Sequence, residues 1–93
     1  HGDFMIRNIV HYSGQVQGVG FRMRVQRLAI GYRVTGYVMN LADGRVRLVA
    51  EGEPAEVRGL IDEVSQQLAE HIEHAEVSSA AATGEFGDFR IRY

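Results

Sequence analysis

Residues 14–22 read Gly-Gln-Val-Gln-Gly-Val-Gly-Phe-Arg, and they separate two segments that have different hydrophobic periods. Residues 6–13, before this stretch, alternate in polarity with Val10 and Tyr12 on one side, which is the period of a β-strand. After the stretch, apolar residues recur at helical spacing, at Phe21, Val25, Leu28, Ala29 and Tyr32. The sequence therefore predicts a strand, a glycine-rich turn and a helix in succession.

The segments that follow complete a β-α-β-β-α-β order. Residues 34–40 are rich in β-forming side chains, and an Asp-Gly pair after them predicts a tight hairpin into a third strand. A second helix is predicted to begin at Pro54, with an apolar face that consists of Val57, Leu60, Ile61, Val64 and Leu68. Its end stays open, because residues 68–74 also favour a helix. We expect a fourth strand over residues 75–83 and a short closing strand over residues 89–93.

This order predicts an α+β fold of the ferredoxin-like sandwich type, with an antiparallel sheet and both helices on one face. A chain of 93 residues has the length of one domain, which we expect to span residues 6–93. Residues 1–5 are predicted to lie outside it, either disordered or added for expression.

Composition excludes several classes of site. The chain has no Cys, which removes disulfides, cysteine-ligated zinc, iron–sulfur clusters and a thiol nucleophile. The N-terminus lacks the pattern of a signal peptide, and no apolar run approaches the ~18 residues of a membrane span. We therefore expect a cytoplasmic protein that does not bind membranes.

Charge is distributed unevenly along the chain. Residues 1–50 contain seven Arg and two acidic residues, a net +5, whereas residues 51–93 contain three Arg and ten acidic residues, a net −7. A basic half indicates an anionic partner. Mutual neutralisation of the two halves across the fold explains the same pattern, so both explanations stay open here.

The glycine-rich turn is the candidate binding site. Glycines between a strand and a helix let backbone N–H groups converge on one point at the helix N-terminus, which is a geometry that holds phosphate. Arg22, in the first turn of the helix, adds a two-pronged donor that Lys cannot reproduce. The Gly18-x-Gly20 spacing alone is equally compatible with a plain surface turn, since it lacks the Gly-Lys-Ser/Thr ending of a nucleotide-binding loop.

Two longer motifs make the assignment more specific. The stretch Gly14 to Arg22 resembles the first signature of the acylphosphatase family. A second match runs from Gly36-Tyr37-Val38-Met39-Asn40 through to Gly52, and the C-terminal Phe89-x-Ile91-Arg92-Tyr93 is similar to the ending of that family.

The resemblance implies hydrolysis of a small-molecule acyl phosphate to a carboxylate and inorganic phosphate, without a metal, a cofactor or a covalent intermediate. It implies that Arg22 binds the phosphoryl group and that Asn40 positions the attacking water, although a plain turn role for Asn40 stays open. Inorganic phosphate is then a product and an inhibitor, and we expect a monomer. The family's phosphate-binding loop corresponds to the backbone N–H groups of Val16, Gln17, Gly18, Val19, Gly20 and Phe21.

Other functions receive less support from the sequence. A related domain begins the large hydrogenase-maturation carbamoyltransferases, so a non-catalytic module that binds phosphate or carbamoyl phosphate is the alternative function. In those enzymes the loop typically reads Phe-Arg-Pro, whereas Met23 follows Arg22 here.

Nucleic-acid binding on a sheet of this kind needs aromatic residues on the central strands, and the third strand has none. His71 and His74 are better explained as a solvated helix end than as a metal site. Tyr12 and Tyr37 depart from the family pattern, and we expect changes in packing only.

Overall fold

The computed structural model describes residues 4–93, across which the chain forms five strands and two helices in the predicted α+β order. The ferredoxin-like fold class is confirmed. The elements are β1 (Ile6–Gly14), α1 (Phe21–Ala29), β2 (Val34–Asn40), β3 (Val46–Gly52), α2 (Pro54–Gln67), β4 (Ile72–Ala81) and β5 (Phe89–Arg92).

The strands form one sheet in the order β4-β1-β3-β2-β5. Strands β1 to β4 pair with their neighbours in antiparallel fashion, as predicted, whereas β5 pairs parallel to β2. The parallel pairing follows from the path of the chain. β4 ends at Ala81 opposite Ile6, the first residue of β1, and β5 enters opposite Gly36, near the start of β2. A short crossing at one end of the sheet leaves β5 running in the same direction as β2.

The core lies between the sheet and the two helices. Val10, Val38 and Leu48 from the strands meet Val25 and Leu60 from the helices, and all five are fully buried. This packing explains the two hydrophobic periods in the sequence, since one face of each strand and one side of each helix point into the same layer.

Tyr12 is also fully buried, and its ring packs against Phe21 with 5.4 Å between ring centroids. Its hydroxyl has no hydrogen-bond partner within residues 4–93, and burial raises the pKa of this phenol well above its usual value. The aromatic body therefore fills the core as expected, while the hydroxyl remains unsatisfied.

The second helix ends at Gln67, and β4 starts at Ile72, earlier than the predicted strand over residues 75–83. Tertiary contacts override the helix-favouring residues of this segment. Leu68 is fully buried, the backbone carbonyl of His71 accepts a hydrogen bond from Gln15 N at 2.9 Å, and Ile72 pairs with Gly14.

The basic N-terminal half and the acidic C-terminal half of the chain partly neutralise each other across the fold. Arg7 on β1 forms a salt bridge with Glu51 on β3 at 2.7 Å, and it also pairs with Glu85. Arg22, by contrast, takes part in no salt bridge within the described part of the chain.

The prediction for residues 1–5 falls largely on residues 1–3, which lie outside the described residues; Phe4 and Met5 are exposed. Between residues 4 and 93, neither helix has the length and apolar character that crossing a membrane requires.

Candidate active site

The turn between β1 and α1, residues 15–20, is called the glycine loop below. Its ends are fixed in the core, because Val16 within the loop and Phe21 immediately after it are both buried. Gly18 and Gly20 adopt φ +76° each, a left-handed conformation that L side chains rarely adopt. A Cβ atom on either glycine would meet no protein atom within 4 Å. The two glycines therefore turn the backbone without filling the space in front of it.

Side-chain and backbone hydrogen bonds hold the glycine loop from both sides. Gln17 Nε2 donates to the carbonyl oxygens of Leu41 at 2.8 Å and Arg45 at 2.9 Å, which belong to the β2–β3 hairpin. On the other side, the backbone N–H of Gln15 donates to His71 O. These contacts fix the loop before any ligand arrives, which lowers the entropic cost of binding.

A cavity of about 150 Å³ opens at the N-terminus of α1. Six of the eight predicted site residues line it, and Gln17 and Val19 do not. The Gln17 side chain instead joins the loop to the hairpin, as described above. The lining residues are Val16, Gly18, Gly20, Phe21, Arg22, Met23, Asn40, Ile91 and Tyr93.

Arg22 supplies the only charged side chain in this lining. It lies in the first turn of α1, where the helix dipole also favours an anion. Its guanidinium carbon lies 5.0 Å from the centroid of the Tyr93 ring. Because no carboxylate neutralises it within residues 4–93, the guanidinium remains available to an anionic ligand.

Asn40 is the last residue of β2, and its backbone pairs with Val46 of β3. It follows Gly36 and Val38 on the face of the sheet that meets the helices, so its side chain lies on the same side as α1. The Oδ1 atom is buried and has no hydrogen-bond partner in the described part of the protein. An unpaired buried acceptor costs about 1–3 kcal/mol, so this oxygen is suited to a donor that arrives with the ligand.

Three lining residues, Met23, Ile91 and Tyr93, were not predicted from the sequence. Ile91 alternates with Phe89 on the core side of β5, but the alternation does not indicate which strand β5 pairs with. Only the parallel pairing of Ile91 with Val38 brings the C-terminal segment to the cavity.

Among the lining residues, no side chain carries a carboxylate, an imidazole or a thiol that could act as a base or a nucleophile. Within residues 4–93 there is also no group of three or more His, Cys, Asp or Glu side chains that could hold a metal ion. Backbone N–H groups, one guanidinium and one amide can bind an anion and orient a water molecule.

Known proteins share both the sequence and the fold. The family model described as Acylphosphatase matches residues 9–91. A protein named acylphosphatase from Syntrophus aciditrophicus is 46% identical over 90 residues, which is 96% of this chain and 94% of that protein.

Solved structures agree with this match. The crystal structure of acylphosphatase from Bacillus subtilis has a TM-score of 0.84 at 28% identity and covers 95% of this chain and 99% of that one. Full-length HypF in a phosphate- and nucleotide-bound form has a TM-score of 0.76 at 25% identity; the match covers 96% of this chain but 12% of HypF. A family match over most of the chain, close relatives of the same length and a shared fold all agree: this chain belongs to the acylphosphatase family.

Proposed function

We propose that this protein hydrolyses acyl phosphates in the cavity at the N-terminus of α1. In this proposal the glycine loop and Arg22 hold the phosphoryl group, and Asn40 positions the attacking water. The observation that supports it best is the buried, unpaired Oδ1 of Asn40, which belongs to the same cavity lining as Gly18, Gly20 and Arg22.

The chemistry requires positioning and charge stabilisation more than acid–base catalysis. Water attacks phosphorus, the bond between phosphorus and the bridging oxygen breaks, and the acyl group leaves as a carboxylate. Negative charge on the equatorial phosphoryl oxygens is stabilised by the loop N–H groups and by Arg22. A carboxylate is a good leaving group, so the absence of a general acid from the lining is compatible with the reaction.

Asn40 would act by orientation. Its Oδ1 accepts one O–H of the water and directs the oxygen lone pair toward phosphorus. An amide does not take up the proton, so we propose that the proton moves to a phosphoryl oxygen and leaves with inorganic phosphate. Inorganic phosphate, the product, then occupies the same cavity and competes with the substrate.

The alternative of a non-catalytic binding module is not favoured. The likeness to HypF covers only 12% of that chain, whereas the relative from Syntrophus aciditrophicus matches over nearly its whole length and is named acylphosphatase. Met23 occupies the position after Arg22, where the module that begins the hydrogenase-maturation enzymes typically has Pro.

We further propose that residues 6–93 act as one catalytic domain, as a monomer in the cytoplasm. The cysteine-free composition suits a reducing compartment. The cavity lies within one copy of the chain, so the proposed reaction needs no residue from a second copy.

The test is hydrolysis of benzoyl phosphate in the presence of EDTA. We expect turnover by the wild type, and a loss of at least about 10²-fold in kcat for Arg22→Lys and for Asn40→Ala. Arg24→Lys is the matched control, because Arg24 lies on the same helix and donates to Gln67 O outside the cavity. Absence of turnover by folded wild-type protein would refute the activity, and near-normal rates in either variant would refute the role of that residue.

A further inference from the structure

A second and larger cavity forms a groove along β5. Its volume is about 620 Å³, roughly four times that of the cavity at the N-terminus of α1. The strands β2 and β5 supply Tyr37, Arg90 and Arg92 to its lining. These residues alternate with the core-side residues Val38 and Ile91, so their side chains lie on the face of the sheet that the helices do not cover. A volume of this size is typical of a small-molecule site.

Two aromatic rings lie side by side in the groove. The rings of Tyr37 and Phe86 meet edge to face, with 5.8 Å between their centroids. The guanidinium carbon of Arg92 lies 3.9 Å from the centroid of the Tyr37 ring, and that of Arg7 lies 5.2 Å from the centroid of the Phe86 ring. The proposed hydrolysis uses neither ring. Aromatic rings and guanidinium planes of this kind stack on flat, conjugated ligand rings.

The two ends of the groove differ in charge. Asp88 comes directly before β5 and Arg92 is the last residue of that strand, roughly 13 Å farther along. Asp88 is paired with Arg90 at 2.9 Å, and Glu85 is paired with Arg7. Arg92 has no carboxylate partner in the part of the chain that the structure describes. One end therefore offers a guanidinium to an anion, and the other offers carboxylate oxygens to amino or hydroxyl donors.

A second arginine lies close to Arg92 on the same face of the sheet. Met39 of β2 pairs with Arg92 of β5 on one side and with Arg47 of β3 on the other, so the two arginines flank one methionine. Arg47 Nε donates to His11 Nε2 at 3.1 Å, and between residues 4 and 93 no carboxylate pairs with this guanidinium. The free positive charge is thus confined to one end of the groove, which suits a ligand with one anionic group.

We propose that this groove binds a nucleoside monophosphate. The base stacks against Tyr37 and Phe86, and its amino group donates to the carboxylate of Asp88. The phosphate binds Arg92 and Arg47 by charge-assisted hydrogen bonds. The site is separate from the proposed active site, and ligand binding there does not depend on the hydrolytic activity.

The experiment is a titration of the ¹⁵N-labelled protein with AMP, followed by NMR in a buffer without phosphate. Because Ile91 and Tyr93 line both cavities, the amide signals to follow are those that belong to one cavity only. These are Gly87 for the groove, and Gly18 and Gly20 for the cavity at α1. We expect AMP to shift the Gly87 amide. Adenosine and ribose 5-phosphate should each bind there at least about tenfold more weakly, since each lacks one of the two principal contacts.

Variants separate the two ends of the groove. Arg92→Gln should raise the Kd for AMP, measured at Gly87, about tenfold or more, and Phe86→Leu should raise it about fivefold while keeping an apolar side chain. Arg27→Gln is the matched control, because it removes the same charge from an exposed position on α1 outside the groove. Arg22→Lys should also leave this Kd unchanged, since Arg22 lines only the other cavity.

Three results would overturn the groove as a nucleotide site: an AMP titration that shifts only Gly18 and Gly20, a wild-type Kd in Arg92→Gln, or equal binding of adenosine and AMP. Affinity that rises with the length of a single-stranded oligonucleotide would also contradict the proposal, because it would assign this face to a polymer. None of these results bears on the hydrolysis of acyl phosphates.

Discussion

Replacing Glu51 by Gln should destabilise the protein at neutral pH and remove part of its sensitivity to acid. The Glu51 side chain is 4% exposed on β3. Its Oε2 accepts hydrogen bonds from Arg7 Nε at 2.7 Å and from Thr83 N at 3.0 Å, and its Oε1 accepts one from Gly84 N at 3.0 Å. Glu51 thereby holds Thr83 and Gly84, in the segment between β4 and β5, against β3 at the centre of the sheet.

The magnitude follows from the pKa of this carboxyl group. Burial alone would raise the pKa of Glu51, but the hydrogen bonds from Thr83, Gly84 and Arg7 outweigh burial and lower it from 4.5 to about 2. A shift of this size corresponds to about 3 kcal/mol between pH 4.5 and 2, and solvent screening at Arg7, whose side chain is 18% exposed, reduces this to about 1–2 kcal/mol. Since the folded-state pKa is the lower one, this stability is present above pH 4.5 and is lost as the pH falls toward 2.

Urea unfolding at pH 7 and at pH 3 measures both effects. Glu51→Gln should lower the free energy of unfolding at pH 7 by about 1–2 kcal/mol, and it should lose less stability than the wild type between pH 7 and pH 3. Glu76→Gln, at an exposed position of β4, is the control and should behave as the wild type. If the wild type and Glu51→Gln lost the same free energy between the two pH values, the carboxylate of Glu51 would not be the group that titrates.

Three further substitutions test the loop and the core. Gln17→Ala removes two hydrogen bonds of about 1 kcal/mol each and should lower kcat/KM about tenfold in steady-state kinetics, while the protein stays folded. An unchanged kcat/KM would show that activity does not require the hydrogen bonds between the glycine loop and the hairpin. Tyr12→Phe removes an unsatisfied buried hydroxyl and should raise the free energy of unfolding by about 1 kcal/mol, a rise in Tm of about 4 °C or more in thermal unfolding, whereas a fall in Tm would indicate a hydroxyl that is satisfied. Gly36→Ala places a Cβ atom 1.9 Å from Val49 O at φ +143° and should cost about 3 kcal/mol or more in urea unfolding, so a near-wild-type midpoint would contradict this packing.

Much of the fold follows from local sequence patterns. The change from a two-residue to a helical period on either side of the glycine loop corresponds to β1 and α1, and the Asp-Gly pair corresponds to the β2–β3 hairpin. The motif resemblance placed Arg22 and Asn40 in one site, and the structure places both in the lining of one cavity.

Other features depend on contacts that no local pattern encodes. Residues 68–74 favour a helix by propensity, but the burial of Leu68 and the pairing of Ile72 with Gly14 end it at Gln67. The direction of β5 depends on where β4 ends. Gln17 belongs to the motif, yet only the fold reveals that its side chain bonds the hairpin rather than lining the cavity.

The parallel pairing of β5 with β2 has a consequence for local stability. β5 is the shortest strand and lies at the edge of the sheet, where it pairs with β2 alone, so it can open locally at a lower free energy than the central strands. The cavity at the N-terminus of α1 combines six residues between Val16 and Met23 with Ile91 and Tyr93 from the C-terminal segment, across nearly the whole length of the chain. Detachment of β5 alone would leave the four antiparallel strands paired but would remove one wall of the cavity. The integrity of this cavity thus depends on the shortest strand of the sheet, and local opening of the β2–β5 pairing is sufficient to dismantle the cavity while the rest of the chain stays folded.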